Sequence, residues 1–212
     1  MRVVSLNVGL PIEIEWRGGP VLTGIFKSPV DSRVAMRTLN FDGDRQADLS
    51  VHGGPEKAVY AYPAEHYPFW RDLLNTEDLP PGSFGENLSL EGLTEETVHI
   101  GDRLRIGTAE VVVTQPRVPC YKLAAKFDRP EIVREFLECG LSGFYFAVVA
   151  EGDVGAGDAV EVVSRDPGAV SVSDLNRLYR TKMRDRDLMR RAVEVPALAA
   201  PWREMFTDRL EQ

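Results

Sequence analysis

Short runs of β-forming residues, separated by turn residues, fill the first three-quarters of this sequence. Glycine and aspartate interrupt the runs, as at Gly101–Asp102 and Gly107, and Gly18–Gly19 is typical of a hairpin turn. Many short strands with frequent turns favour a barrel or a sandwich over an alternating βαβ sheet. The sequence therefore predicts a mostly β, α+β fold with strands at Arg2–Val8, Ile12–Trp16, Val21–Phe26, Lys57–Tyr62, Asn87–Leu90, Val98–Ile100, Arg103–Ile106, Glu110–Thr114, Tyr145–Ala150 and Ala159–Val163.

Helical patterns interrupt these strands at two places. Ala64–Leu74 and Pro130–Cys139 are the two expected helices. In the second, Pro130 suits a first helical position and Gly140 suits a C-terminal cap, since proline lacks the N–H that a helix start leaves unpaired and glycine adopts the left-handed conformation.

The character of the sequence changes at the turn cluster Asp166–Gly168. We take this cluster as the boundary between a β-domain of residues 1–166 and a helical domain of residues 167–212. Three short amphipathic helices are expected in the second domain, where they would form a small bundle, and they are expected to begin at Ser173, Asp185 and Pro201.

An apolar stripe follows the last of these helices. It consists of Trp202, Met205 and Phe206, which recur at helical spacing. Such a stripe has to be covered, either by the β-domain of the same chain or by a second subunit in a homodimer.

The composition excludes several classes of function. A net charge of −8 over 212 residues argues against non-specific nucleic-acid binding, which needs a basic surface. No apolar run is long enough to span a bilayer, and Met1–Leu10 does not have the pattern of a signal peptide. Two cysteines are too few for a disulfide framework, so we expect a reducing, cytoplasmic location. No Walker, nucleophile-elbow or dinucleotide motif occurs.

The segment Val112–Lys122 contains the side chain with the most distinctive chemistry. A β-branched run leads to Pro116, where strand pairing should end, and Pro119 keeps the residue before it extended. This stiff segment presents Arg117 close to Cys120. A nearby guanidinium favours the thiolate form of a cysteine, which is a nucleophile and a soft metal ligand. The alternative is that Cys120 is a small buried apolar residue, as most free cysteines are.

Two glycine-rich segments could contact a ligand. In the first, the pair Gly53–Gly54 lies between His52 and Lys57, where backbone N–H groups could approach an anion. A solvated hairpin turn with a structural histidine is the alternative. In the second, Glu86 and Asn87 follow a glycine turn and could read the donor–acceptor edge of a heterocycle, or could close an ordinary Asx turn.

The order of these segments resembles MOSC-domain proteins, which are related to the carboxy-terminal domain of molybdenum-cofactor sulfurase. The matching segments are FKSPV, DGDRQAD, VHGGPEKAVYAYPAEHYPFW, GSFGENLSLEGLTEETVHIGDRLRIG and TQPRVPCYKL. The helical tail looks like the three-helix appendage of the YiiM-type branch. The resemblance implies a barrel-like domain that binds a molybdenum–molybdopterin cofactor. It implies that Cys120 ligates molybdenum and is catalytic, and that the cofactor is contacted by Lys27, Lys57, Arg117, Glu86, Asn87 and, as a weaker match, His52.

By similarity to YiiM-type proteins, the implied activity is reduction of N-hydroxylated compounds such as 6-N-hydroxylaminopurine to the parent amines. The sequence contains no flavin, haem or iron–sulfur motif, so electrons are expected to come from a separate reductase. Two alternatives stay open. The chain could be a molybdenum cofactor carrier or sulfur-transfer module with a persulfide on Cys120, or a binding protein whose tail docks a partner.

Overall fold

The computed structural model describes residues 1–49 and 53–212, and its centre is an eight-stranded mixed sheet. The sheet order is β12-β8-β9-β10-β6-β7-β1-β4, in which only β6 and β7 run parallel. Two further pairs, β2 with β3 and β5 with β11, lie outside this sheet. The strands of the described residues are β1 (Arg2–Val8), β2 (Ile12–Trp16), β3 (Gly19–Thr23), β4 (Ser28–Pro29), β5 (Val34–Met36), β6 (Val59–Pro63), β7 (Leu88–Glu91), β8 (Arg103–Ile106), β9 (Ala109–Pro116), β10 (Phe144–Ala150), β11 (Gly152–Val154) and β12 (Val160–Ser164).

Strand β1, next to last in this order, is joined by hydrogen bonds to the segment that leads into β12 at the opposite end of the sheet. Arg2 in β1 forms a bridge with Ala159, the residue before β12. The Val3 N–H donates to the Asp158 carbonyl at 2.9 Å, and the Gly157 N–H donates to the Val3 carbonyl at 2.8 Å. The sheet therefore curls into a barrel-like form, which confirms the predicted fold class.

Six α-helices surround the sheet in the described part of the chain: α1 (Tyr67–Leu74), α2 (Tyr121–Phe127), α3 (Ile132–Cys139), α4 (Val172–Arg180), α5 (Arg186–Glu194) and α6 (Ala200–Glu211). The first three pack over an aromatic cluster that includes Tyr62, Trp70, Phe84 and Phe136. None of the described helices combines the length and the apolar character that crossing a membrane requires.

The last three helices share a hydrophobic core with the sheet. Leu175 of α4, Met189 of α5 and Phe206 of α6 are fully buried and belong to the same cluster as the apolar residues of β9 and β10. Trp202, in the apolar stripe of α6, is also buried there. The stripe is therefore largely covered by its own chain.

The first hairpin turns one residue earlier than the sequence predicts. Arg17 and Gly18 have φ angles of 53° and 82°, and Trp16 pairs directly with Gly19. Two-residue turns with positive φ at both positions match the twist of the paired strands. The predicted turn at Gly18–Gly19 is wrong by one residue because Gly19 already belongs to β3.

Four helix starts also differ from the predictions. Helix α1 begins at Tyr67, because Ala64–His66 forms a 3-10 turn, and α6 begins at Ala200, one residue before Pro201. The helix predicted to begin at Ser173 begins earlier, with Ser171 as its cap: the Asp174 N–H donates to Ser171 Oγ at 3.0 Å, and the Ser171 N–H donates back to Asp174 at 3.2 Å. This reciprocal capping box fixes the start of α4. The helix predicted from Pro130 begins instead at Ile132.

Two larger predictions were incomplete. Val98–Ile100 is not a strand, although both ends of this run are fully buried; the Ile100 N–H donates to the Val170 carbonyl at 2.9 Å. The run is paired by a single isolated bridge, between His99 and Ser171, so its apolar composition reflects burial more than a place in a strand ladder. The sequence also did not predict α2, because the two prolines before it pointed to an extended segment. The chain stays extended only as far as Cys120, which is the N-cap residue of α2.

Candidate functional site

Segments from distant parts of the sequence meet around an open cavity, called here the basic cavity. Five cationic side chains line it, namely Lys27, Arg45, Lys57, Arg117 and Lys122. The chain as a whole carries a net charge of −8, so this concentration of positive charge is a local feature. Clefts lined by one sign of charge attract ligands of the opposite sign, which indicates an anionic ligand.

The structure brings five of the sequence-predicted site residues to the basic cavity: Lys27, Lys57, Asn87, Arg117 and Cys120. Glu86 lies behind the cavity wall, and His52 lies outside the described residues.

The segment between β9 and α2 holds Cys120 in place at both of its ends. Strand β9 ends at Pro116, as the sequence predicted, and Pro116 pairs with Phe144 of β10. One residue later, the Arg117 N–H donates to the Gly143 carbonyl at 3.3 Å. At the other end, the Cys120 carbonyl accepts from an N–H in the first turn of α2 at 3.0 Å. The half-buried Cys120 thiol is therefore presented from a short, anchored segment.

Arg117 is a buried cation, and the described residues do not provide a hydrogen-bond acceptor for each of its donors. Its side chain lies between two rings, with the guanidinium carbon 5.1 Å from the centre of Tyr60 and 5.0 Å from that of Phe136. Its Nη1 atom is buried and has no hydrogen-bond partner among the described residues. Burial acts to lower the pKa of Arg117, but the neighbouring Tyr60, Tyr145 and Cys120 side chains hold that pKa above its ordinary value. Arg117 therefore stays charged and, as a residue of the cavity wall, retains an unused donor that is buried within that wall.

Lys27 is positioned by a residue that the sequence analysis did not single out. It forms a buried ion pair with Asp44, whose other oxygen accepts from Asn87 Nδ2 at 3.0 Å. Asp44 also accepts from the Gly9 N–H at 3.0 Å. Burial lowers the pKa of Lys27, and the attraction of Asp44 opposes this effect. Asp44 lies in the matching segment DGDRQAD, but its partners are far away in sequence.

The side-chain amide of Asn87 makes hydrogen bonds mainly to other groups of the protein. Its Oδ1 accepts from the Tyr60 N–H at 3.1 Å, while its Nδ2 donates to Asp44 and, at 3.3 Å, to the Asn7 carbonyl. Asn87 lines the cavity, but these bonds make it a support for the wall. The predicted reading of a heterocycle edge by this amide would require it to give up or share one of them.

Glu86 binds the turn that precedes it. Its fully buried carboxylate accepts from the Gly82 N–H at 2.8 Å, the Phe84 N–H at 3.1 Å and the Ser89 hydroxyl at 3.0 Å, and also from the Tyr67 hydroxyl. The N–H groups of the turn converge on this carboxylate, so it does not reach the cavity. The structure therefore does not place Glu86 where the predicted cofactor contact would be.

Helix α2 contributes a cation to the cavity wall and another behind it. Lys122 is 8% exposed and lines the cavity. One turn later, Lys126 Nζ donates to the Ile25 carbonyl at 3.0 Å and to the Gly82 carbonyl at 2.8 Å. Burial lowers the pKa of Lys126 to about 8. The i, i+4 spacing of these lysines is the sequence signal for a shared helix face, and it was missed together with the helix.

Two glycines allow the loops around the cavity to approach each other closely. A Cβ atom on Gly24 would lie 2.5 Å from the Arg45 carbonyl oxygen. Gly85 has a φ angle of 81°, and a Cβ atom there would lie 2.7 Å from Ile25 Cγ1. These contacts explain why side chains are excluded at both positions.

A second cavity, called here the tail cleft, adjoins the basic cavity. The two share Lys57, Val118, Cys120 and Tyr145. Most of the remaining wall is apolar and comes partly from the C-terminal helices, through Tyr179, Pro201, Trp202 and Met205. The Cys120 thiol thus lies where a basic cavity and an apolar cleft meet.

This donor set suits a particular kind of cofactor. A single thiol beside several cations fits a metal that arrives within an anionic organic group, because the cations can bind the organic part while the thiolate binds the metal. Cys120 is the thiol at this position, and Arg117 provides an unused cationic donor close to it. The described residues are therefore chemically compatible with a metal–pterin cofactor that carries a phosphate.

Comparisons with known proteins agree on the family. The MOSC domain matches residues 48–161, and the YiiM-like, 3-alpha helix domain matches residues 170–212. The chain is 45% identical to the protein YflK of Bacillus subtilis over 210 residues, which covers 99% of this chain and 95% of that protein. The crystal structure of YiiM from Geobacillus stearothermophilus has a TM-score of 0.84 and 39% identity, and covers 99% of this chain and 98% of that one. A Gibberella moniliformis protein named Reductase is 32% identical over 182 residues, covering 84% of this chain but 32% of that protein.

Proposed function

Because the chain belongs to the MOSC-domain family and ends in a YiiM-like 3-alpha helix domain, we propose that it is a molybdenum-cofactor-dependent reductase of N-hydroxylated compounds. Its substrates would include hydroxylated bases such as 6-N-hydroxylaminopurine. In the reaction, R–NHOH takes up two electrons and two protons; the N–O bond breaks, an N–H bond forms, and the oxygen leaves as water. The electrons would come from a separate reductase protein. The similarity to a protein named Reductase supports this class of activity.

The observation that most directly supports cofactor binding is that Arg117, which lines the basic cavity, has a buried Nη1 donor with no partner among the described residues. Leaving a buried donor without an acceptor costs about 1–3 kcal/mol, and more for a charged group. A phosphate oxygen would provide the missing acceptor in a charge-assisted bond. Lys27, Lys57 and Lys122 would add positive charge around the same group.

In this proposal the residues of the chain bind and orient the cofactor and hydrogen-bond the substrate. Cys120 would provide the thiolate ligand to molybdenum, and the cofactor, when bound, would supply the two-electron redox chemistry. Asp44 and Asn87 hold the Lys27 side of the cavity in place through their buried bonds. Burial raises the pKa of Tyr145, so its hydroxyl stays protonated and can hydrogen-bond the departing oxygen from a position common to both cavities.

The test is molybdenum content and activity in protein made in a host that synthesises the cofactor. Cys139 offers a matched control, because it is the other free cysteine and lies at the end of α3, away from both cavities. Wild type and Cys139→Ser should contain near-stoichiometric molybdenum and reduce 6-N-hydroxylaminopurine with a suitable electron donor. Cys120→Ser should fold normally but lose the activity and most of the metal.

Two results would contradict the proposal. A Cys120→Ser variant with full activity would remove the thiolate from the mechanism. Wild-type protein that takes up no metal, but carries sulfane sulfur on Cys120, would instead favour the alternative of a cofactor carrier or sulfur-transfer module.

A further inference from the structure

We infer that the tail cleft is the subsite for a flat, uncharged aromatic ring of the substrate, so that the C-terminal helices complete the active site. This inference rests on the proposed function, because it places the substrate relative to a cofactor in the basic cavity. It adds a preference that the basic cavity does not explain, namely for aromatic over aliphatic N-hydroxylated compounds. It also assigns a role in substrate binding to the tail.

The walls of the cleft suit a ring. The Tyr179 and Trp202 ring centres are 5.8 Å apart with an angle of 55° between the planes, and Met205 and Pro201 lie on the same wall. Aromatic faces and a methionine thioether make favourable contacts with flat π-systems. Large apolar side chains also remain accessible at the cleft: Tyr179 is 37% exposed and Val118 is 41% exposed. Such exposed apolar surface marks a ligand groove more often than a random surface feature when it lines a concave site.

The tail is fixed to the part of the chain that carries Lys57. Trp202 Nε1 donates to Gln115 Oε1 at 3.2 Å, and Gln115 Nε2 donates to the Glu56 carbonyl at 3.1 Å. The Glu56 carboxylate accepts from the Ala200 N–H at the start of α6, at 3.0 Å and 3.1 Å. Helix α6 is thus bonded to the residue immediately before Lys57, which lines both cavities. The aromatic wall and the cationic wall are therefore held in a fixed relation.

The residues that line both cavities indicate that the tail cleft binds the substrate. A ring held against Tyr179 and Trp202 lies in a space whose other boundary includes Cys120 and Tyr145. The N-hydroxyl substituent of the substrate can then reach the edge of the basic cavity, while the ring stays among apolar groups. The tail cleft shares lining residues with the basic cavity. For this reason we expect a substrate ring there and not an unrelated ligand.

The experiment compares two probes that differ only in the ring. Benzamidoxime and cyclohexanecarboxamidoxime carry the same N-hydroxyamidine group on a flat or a puckered six-membered ring. With molybdenum-loaded protein, kcat/KM should be about ten-fold higher for the aromatic probe. Tyr179→Leu should raise KM for benzamidoxime about five-fold while leaving kcat and molybdenum content unchanged, and Tyr179→Phe should behave like wild type because it keeps the ring.

Further variants and a binding measurement complete the design. Met205→Glu, on α6, should also raise KM for benzamidoxime, which tests the cleft if the Tyr179 variant folds poorly. Phe69→Leu is the matched control, since Phe69 is a 41% exposed helix aromatic that lines neither cavity. Calorimetric titration with benzamide, which has no N–O bond to reduce, should show binding that Tyr179→Leu weakens and Phe69→Leu does not.

The outcomes separate this inference from the proposed function. If the protein contains molybdenum and reduces both probes, but Tyr179→Leu and Met205→Glu change neither KM nor benzamide binding, the cleft assignment is wrong and the proposed function stands. If these variants raise only the KM for the electron donor, the cleft is the donor's docking site and the inference is also wrong. If no molybdenum binds, but benzamide binds in a Tyr179-dependent way, the proposed function fails and the cleft remains an aromatic-ring site.

Discussion

Replacing Arg117 with methionine should weaken cofactor binding sharply without destabilising the cofactor-free protein. The side chain is buried, lies between the rings of Tyr60 and Phe136, and has an Nη1 donor with no partner among the described residues. Methionine has a similar length, packs well against aromatic rings and brings no charge into the site. The substitution therefore separates the cationic donor from the space that it fills.

The magnitude follows from two opposing terms in the free energy of unfolding. Removing the unpartnered donor should relieve about 1–3 kcal/mol. Losing the two cation–ring contacts should cost about 1–2 kcal/mol in total. The two terms nearly cancel, so we expect the free energy of unfolding of the cofactor-free protein to change by less than about 1 kcal/mol. In the cofactor complex, a charge-assisted bond of about 1.5–3 kcal/mol is lost, which corresponds to roughly 10- to 150-fold weaker binding.

The assay combines urea unfolding of the cofactor-free protein with molybdenum analysis of protein from a cofactor-producing host. Arg134→Met is the control, because Arg134 is 70% exposed and lies outside the basic cavity. It should leave both the urea midpoint and the molybdenum content unchanged. If Arg117→Met lowered the free energy of unfolding by several kcal/mol but retained the metal, Arg117 would be a structural residue and not a cofactor ligand.

Two further predictions concern the supports of the cavity. Asp44→Asn should lower the free energy of unfolding by about 3–5 kcal/mol in urea titrations, because it leaves Lys27 as an uncompensated buried charge, whereas Asp42→Asn at an exposed ion pair should have little effect. Lys126 has a pKa of about 8 in the folded protein, below its ordinary value, so the unfolded chain takes up this proton first as the pH falls. Between pH 7.5 and pH 9.5, the free energy of unfolding should therefore rise by about 2 kcal/mol more in wild type than in Lys126→Met. If the free energy of unfolding varied with pH in the same way in both proteins, the burial of this lysine would be refuted.

Much of the fold could be predicted from the sequence because it depends on local pattern. The bounds of β1 and β2 match the prediction residue for residue, and β9 ends at Pro116, where the missing N–H stops the ladder. The three C-terminal helices were also predicted, with Asp185 confirmed as the cap of α5. The errors occurred where local preference was ambiguous, as in the apolar run Val98–Ile100 and the helix that follows Cys120.

The candidate site could be predicted only in part. Lys27, Arg117 and Cys120 meet at one cavity as expected. The sequence did not indicate that Asp44 pairs with Lys27, since that contact depends on how two loops pack. Glu86 was expected near the ligand because of its position in a motif, but the direction of its side chain is set by the N–H groups of its own turn.

The sequence by itself determined the strand-rich domain, the helical tail, the stiff segment that carries Cys120, and a motif order that resembles one family. These features are encoded in residues close together in the chain, through propensity, periodicity and proline placement. Only the tertiary structure decided that Arg117 keeps an unused donor and that Trp202 and Tyr179 wall a cleft ending at Cys120. Such contacts join residues far apart in the chain, and their existence depends on how the helices pack against the barrel.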